Sequence, residues 1–213
     1  MRFERLIEIV GDEPVFEAGL LLAGEIDPDD VRRQLSRWTA SGRLYQVRRG
    51  LYALAPPFQK AKPHPFLVAN RLARGSYVSC QSALAYHGLI PEYVPAVISV
   101  TPSRPGRRCT PLGVYQYHHL RPALVHGYRL LDVADRQQAY VATPEKALLD
   151  LVYLQPRGEQ AAYLRELRLQ NLSSLDMDAL RQQAVQSGGP KLLRASAALA
   201  ELAKAVEEGY EAL

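Results

Sequence analysis

The chain has 213 residues, 47% of them hydrophobic and 23% charged, with a formal charge of +4; this balance suits a buried core and excludes disordered and collagen-like classes, while the length fits one large domain or two small ones. No apolar run approaches the roughly 20 residues of a membrane span, and the opening Met1-Arg2-Phe3-Glu4-Arg5 lacks a secretory apolar core. Two cysteines, Cys80 and Cys109, make neither a disulfide framework nor a paired zinc spacing, so the expectation is a cytoplasmic protein.

Phe3, Leu6, Ile7 and Val10 recur at i, i+3, i+4, i+7 and predict a short amphipathic helix ended by Gly11-Asp12. Asp12-Glu13-Pro14 then predicts a second helix with proline in its first turn, carrying Phe16, Leu20 and Leu21 and stopping around Ala23-Gly24. Asp27-Pro28-Asp29-Asp30 is the best local signal: an N-cap, a proline at the first helical position, and two acids facing the helix dipole. In this third helix Val31, Leu35 and Trp38 form one apolar stripe, and Arg32, Arg33, Ser36 and Arg37 fall largely off it, toward solvent. Extended runs at 43–47 and 51–54 flank Arg48-Arg49-Gly50, predicting a β-hairpin whose tip carries two arginines and a glycine able to take positive φ. Three helices and a basic-tipped hairpin predict a winged helix-turn-helix over residues 1–58, its third helix entering a major groove while the hairpin reaches the flanking backbone. The bland reading of the same residues is a small helical domain with a solvated arginine face.

Four prolines between 56 and 65 mark a linker. Beyond it, helices are expected at 67–74 and 81–87, and strands at 96–101, 113–117, 128–133 and 139–142. Thr143-Pro144-Glu145 is a capped start for a mostly buried helix carrying Ala147, Leu148, Leu151, Val152 and Leu154. Helices over 159–169, 175–186 and 190–210 complete the chain. The last shows Leu192, Ala195, Leu199, Leu202, Val206 and Tyr210 at three- and four-residue steps. The expected fold class is therefore α+β: the winged helix, then a larger mixed α+β domain over 64–213 with a helical C-terminal part.

Charge is segregated along this frame. Residues 1–30 hold two arginines against nine acids, whereas 31–131 hold fifteen Lys/Arg against one acid, Glu92. A stretch with a single carboxylate presents a positive surface whatever its fold, and such a field attracts polyanions. Arginine outnumbers lysine 21 to 5, which suits bidentate phosphate contacts but also follows from a GC-rich coding bias. The candidate DNA-binding residues are Arg32, Arg33, Ser36 and Arg37 on the third helix, Arg43 at the base of the hairpin, and Arg48 and Arg49 at its tip. Arg104, Arg107 and Arg108 join them from segment 101–108, which reads equally as a mobile loop or as a second phosphate contact.

Signals for catalysis are weak. No G-x-S-x-G elbow, H-E-x-x-H helix, P-loop or dinucleotide fingerprint occurs. Cys80 beside a helix start reads as a small buried apolar group. His118 and His119, adjacent on a strand, point to opposite faces and cannot chelate one metal together. Glu145, Lys146 and Asp150 suggest a nuclease-like carboxylate site, yet an acid in the first turn is favoured for helix stability alone. The expectation is no catalytic residue, no metal and no cofactor.

Three stretches together, 31–52 with its G-R-L-Y-Q-V-R-R-G-L-Y, 77–89 reading Y-V-S-C-Q-S-A-L-A-Y-H-G-L, and 142–149 reading A-T-P-E-K-A-L-L, resemble the AbiEi antitoxins of type IV toxin–antitoxin systems. The resemblance runs from about Phe3 to about Leu169. It implies an N-terminal winged helix that binds inverted repeats in the operon's own promoter as double-stranded DNA, acting as an autorepressor in abortive-infection phage defence. It further implies a C-terminal domain that counters a cognate AbiEii-like nucleotidyltransferase toxin by a neutralisation that generally does not depend on a stable complex. Family DNA contacts carry over by motif position to Arg32, Arg33, Ser36, Arg37, Arg48 and Arg49. Two other readings stay open: a winged-helix transcription factor whose C-terminal domain senses a ligand, and an enzyme acting on nucleic acid or on the toxin.

Overall fold

The computed structural model describes residues 1–22 and 27–211, the last five by backbone alone. Helix α1 (Phe3–Val10) buries Phe3, Leu6 and Val10, and Gly11 at φ 58° ends it. The predicted second helix does not form. Residues Phe16–Glu17 make a short strand, β1, followed by a 3₁₀ turn over Ala18–Leu22. Val15 and Phe16 are both buried although adjacent, and Leu20 is exposed. An extended segment can send neighbouring side chains to opposite sides, which a helix cannot. The expected helix end at Ala23-Gly24 lies outside the described residues.

Helix α2 (Pro28–Ala40) forms as its cap predicts: the Asp27 carboxylate accepts the Asp29 backbone N–H at 2.9 Å, with Pro28 at the first position. Val31, Leu35 and Trp38 are buried. The Phe3 ring meets Trp38 at 5.3 Å and Phe58 at 4.9 Å between centroids. Strands β2 (Leu44–Arg48) and β3 (Leu51–Leu54) make the hairpin, closed by Gly50 at φ 80°. Phe16 pairs with Tyr52 and Glu17 with Leu51, so the small sheet has the order β1-β3-β2 and is antiparallel throughout.

The second part is a six-stranded mixed sheet made of β4 (Tyr77–Val78), β5 (Val97–Thr101), β6 (Gly106–Thr110), β7 (Gly113–His119), β8 (Tyr128–Ala134) and β9 (Gln137–Ala142), in the order β6-β7-β5-β4-β9-β8. Pairs β4–β9 and β5–β7 are parallel, the rest antiparallel. Helices α3 (Pro65–Leu72), α4 (Cys80–Tyr86), α5 (Pro144–Leu154), α6 (Ala161–Glu166), α7 (Met177–Gln186) and α8 (Pro190–Glu211) accompany it. The chain is thus a mixed α+β protein, with two sheets among the described residues. Thr143 caps α5 through its side chain, as its Thr-Pro-Glu start predicts. Two strands of this sheet escaped prediction: β4, only two residues long, and β6, which takes the second half of the arginine segment expected as a loop. In α8 Leu192, Ala195 and Leu199 are buried, but Val206 is exposed; the Tyr210 side chain lies outside the described residues.

The buried apolar residues fall into two clusters. One gathers Phe3, Leu6, Leu35, Trp38 and their neighbours around the small sheet. The larger spans both faces of the six-stranded sheet and also takes in Val15, Val47, Leu51 and Ala53 from the N-terminal part. One face of the hairpin is therefore built into the main core.

Candidate nucleic-acid interface

Burial of the Val31, Leu35 and Trp38 stripe leaves Arg32, Arg33, Ser36 and Arg37 exposed on the opposite face of α2. Arg32 and Arg33 lie against acids of the helix's own first turn: Arg32 to Asp29 at 2.6 Å, Arg33 to Asp30 at 3.4 Å. Exposed i,i+3 pairs of this kind are worth about 0.2–0.5 kcal/mol, so a phosphate can replace them at small cost. Arg37 occupies the last turn, where a cation complements the dipole, and has no carboxylate within 4 Å among the described residues. Arg43 follows the helix and stacks over the Phe3 ring, its guanidinium carbon 5.0 Å from the centroid.

The hairpin arginines, equivalent in the sequence, have different environments. Arg49 is exposed at the turn. Arg48 turns back onto the protein, donating to the Arg71 carbonyl at 3.4 Å and the Arg49 carbonyl at 3.1 Å, and pairing with Glu17 at 3.4 Å. Its side chain is 30% exposed. Arg108 arrives at the same helix end from β6, donating to the Leu72 carbonyl at 2.9 Å and lying over the Tyr117 ring at 5.6 Å. Two guanidiniums, one from the hairpin and one from the edge of the large sheet, thus satisfy terminal carbonyls of α3, where the helix dipole favours positive charge. Arg104 and Arg107 are exposed beside them in sequence, Arg104 before β6 and Arg107 within it.

Sequence reasoning missed what surrounds this junction. Arg74 pairs with Glu17 at 2.7 Å, so a single carboxylate sits among Arg48, Arg71 and Arg74. The hydrogen bond from Arg74 foremost, then the charges of Arg48 and Arg71, hold the Glu17 carboxyl below its ordinary range despite some desolvation. The only signal available was the Arg71 and Arg74 spacing at the end of a predicted helix, which reads as a solvated face.

The carboxylate set at α5 is tied into the protein. Glu145 is buried and accepts the Asp176 backbone N–H at 3.1 Å. Lys146 and Asp150, 3% and 1% exposed, pair with each other. Asp150 also accepts from the Tyr77 hydroxyl at 2.9 Å and the Ser79 hydroxyl at 2.7 Å. Burial pushes the Asp150 carboxyl up, against the pull of Lys146 and the two hydroxyls. Two of the three sequence motifs, 77–89 and 142–149, therefore meet around this helix: Tyr77 and Ser79 from the first bond Asp150, and Lys146 from the second completes the set. Cys80, at φ 51° and buried, has its thiol pushed up by burial and by Asp150, as an inert buried cysteine would. His118 is half-buried and His119 exposed on β7, in line with the expected alternation.

No family model matches the chain, and no curated protein matches it in sequence. Among solved structures it is similar to the crystal structure of the RV2827C protein from Mycobacterium tuberculosis, with a TM-score of 0.55 and 21% identity over 92% of this chain and 75% of that one. At that identity the likeness bears on the fold alone, and it supports the mixed α+β architecture. Among the described residues, no helix is long and apolar enough to cross a membrane.

Proposed function

We propose that the protein is a duplex-DNA-binding autorepressor and antitoxin of a type IV toxin–antitoxin system, acting in the cytoplasm without catalysis or cofactor. Its N-terminal part is read as a winged helix: the order helix, strand, 3₁₀ turn, helix, hairpin, with the first strand paired beside the hairpin, is the arrangement such domains use. The observation that carries the proposal is α2, which buries one apolar stripe and turns Arg32, Arg33, Ser36 and Arg37 outward just before a hairpin tipped by Arg49. In this reading α2 contacts base edges in the major groove, Arg49 contacts phosphate, and Arg104 and Arg107 lengthen the footprint. The antitoxin role, and the AbiEii-like nucleotidyltransferase it counters, rest on the resemblance of the three motifs.

Binding of the full-length protein to the duplex upstream of its own gene, compared with a shuffled duplex, tests the regulatory half. Arg33→Ala and Arg37→Ala should each narrow the gap between the two duplexes by about 1–3 kcal/mol per lost base contact. Equal affinity of the unaltered protein for both duplexes would refute it. Growth rescue on co-expression with the neighbouring gene tests the toxin half. A second reading, a ligand-sensing regulator without a toxin, is favoured by a cavity of about 500 Å³ lined by Phe66, Tyr86, Tyr93 and Tyr115, within the size range of small-molecule sites.

A further inference from the structure

We infer that the groove between α3 and the β8–β9 hairpin binds a nucleotide, with the base stacked on Tyr140 and meeting Tyr128 edge-on, and the phosphate held by Arg71 and Arg74. The groove encloses about 530 Å³ and is lined by these four residues together with Leu130 and Gln138 among others, with no carboxylate among the described residues that line it. It is separate from the α2 surface and does not depend on the DNA reading above.

The outward face of β8 and β9 carries the wrong residues for a purely solvated surface. Tyr128, Leu130 and Tyr140 are 39%, 49% and 46% exposed on one side of a two-strand ladder in which Leu130 and Tyr140 pair directly. The rings are also fixed in place. Tyr128 stacks on the fully buried Tyr77 at 4.6 Å and 20°, and meets Tyr140 nearly edge-on at 5.6 Å and 87°. Tyr77 is in turn anchored by its hydroxyl to Asp150. The Tyr140 backbone N–H is held by the Asn70 side chain of α3 at 2.6 Å, which fixes the strand against the helix. A corner of two immobilised aromatic rings offers a planar ligand stacking area with little ordering cost, and aromatic stacking is tolerant of base identity.

The cations supply the second half of the recognition. Arg71 is exposed and has no carboxylate within 4 Å among the described residues; Arg74 is 77% exposed and shares Glu17 with Arg48. Asp132, the acid next to the sheet face, accepts from the Gln138 amide at 2.9 Å. Two guanidiniums beside an aromatic corner match a phosphate attached to a planar base better than either part alone, because the fork geometry is bidentate for phosphate. The shared chemistry is a nucleoside phosphate, whether free or at an unpaired position of a strand.

Isothermal titration of the full-length protein with AMP, adenosine, inorganic phosphate and a single-stranded dA oligonucleotide tests this. AMP or the oligonucleotide should bind, with adenosine and phosphate each weaker than AMP. AMP binding assigns a free nucleotide; oligonucleotide binding competed by AMP assigns a strand. Tyr140→Ala and Arg71→Ala, both at exposed side chains and checked for folding by thermal melts, should each weaken binding about tenfold or more. The inference is overturned if neither AMP nor the oligonucleotide binds, if both variants bind as the parent does, or if phosphate alone binds as tightly as AMP.

Discussion

Arg48 and Arg49 look interchangeable at the hairpin tip, and the structure predicts that they are not. Four of the candidate guanidiniums, Arg37, Arg49, Arg104 and Arg107, make no ion pair, hydrogen bond or ring contact to the protein among the described residues, whereas Arg43 lies over Phe3 and Arg48 is spent on Glu17 and two carbonyls. If Arg49, Arg104 and Arg107 each neutralise one phosphate while Arg33 and Arg37 reach base edges, log K should fall with log salt at a slope of about −2.7; if Arg32 also exchanges its helix acid for phosphate, the slope steepens to about −3.6. Arg49→Ala should make the slope shallower by about 0.9 and weaken every duplex alike. Arg48→Ala should change the slope by far less and instead lower thermal stability, because the Arg71 carbonyl and Glu17 lose a partner. Fluorescence anisotropy of a labelled duplex between about 50 and 200 mM salt, with melting curves for each variant, reads both quantities. A parent slope shallower than about −2, or an Arg48→Ala variant that flattens the slope as much as Arg49→Ala, would refute this division of labour.

Lys146→Met strands the Asp150 carboxylate in the core with only two hydroxyl donors, and removing one partner of a buried pair costs about 3–5 kcal/mol. For a chain of this length that is a drop of about 6–20 °C in Tm, by calorimetry. Lys146→Met with Asp150→Leu should recover most of it, and a single variant that melts like the parent refutes the argument. Acid should also destabilise the fold through its half-buried histidines. Burial lowers His64, His118 and His126, so the unfolded chain binds the extra protons and stability falls as pH drops below the ordinary histidine value of about 6.5. His64 adds a specific contact, its Nδ1 accepting the Phe66 N–H at the start of α3. His64→Asn, which caps without titrating, should flatten the dependence of Tm between about pH 7.5 and 5.5, whereas an unchanged profile would reject the assignment.

Elements set by local chemistry were legible in the sequence. The Asp27-Pro28 and Thr143-Pro144 starts give α2 and α5 because a side-chain acceptor and a fixed φ act within one turn. The stripe of Val31, Leu35 and Trp38 is buried as its spacing demands. The segment after Gly11 was misread because Phe16, Leu20 and Leu21 also fit a helical face, and what decides for strand is pairing with β3, some 35 residues away. Strand β6 leaves no pattern at all: Gly106-Arg107-Arg108-Cys109-Thr110 is almost wholly exposed at a sheet edge and is held by backbone bonds to β7. The site divides the same way. A field of arginines is visible from composition, but which of them remain available depends on α3 ending between the hairpin and β6, a tertiary event. Strand alternation places Tyr128 and Tyr140 on a strand, yet it cannot reveal that this face forms a groove beside Arg71 and Arg74.

The proline-rich stretch 56–65 reads as a linker, and the packing argues against independent movement across it. Leu51 and Ala53 are 1% and 0% exposed because the hairpin face opposite the small core lies in the large one. The Gln137 side chain accepts the His64 N–H at 2.7 Å and donates to the Lys62 carbonyl at 2.9 Å, fastening the stretch to the start of β9. Asp12 takes Lys60 from the stretch and Arg136 from the turn before β9. Swinging the hairpin away would expose Val47 and Leu51, each worth about 1.5–3 kcal/mol of burial, and break the Arg48 and Arg108 bonds to α3. A ligand in the α3 groove therefore acts on the same helix that positions Arg48. Such a ligand would shift the proposed DNA binding only to the extent that it prefers one arrangement of that helix end over another, which makes the Glu17, Arg48 and Arg74 triad the place where such coupling would be read.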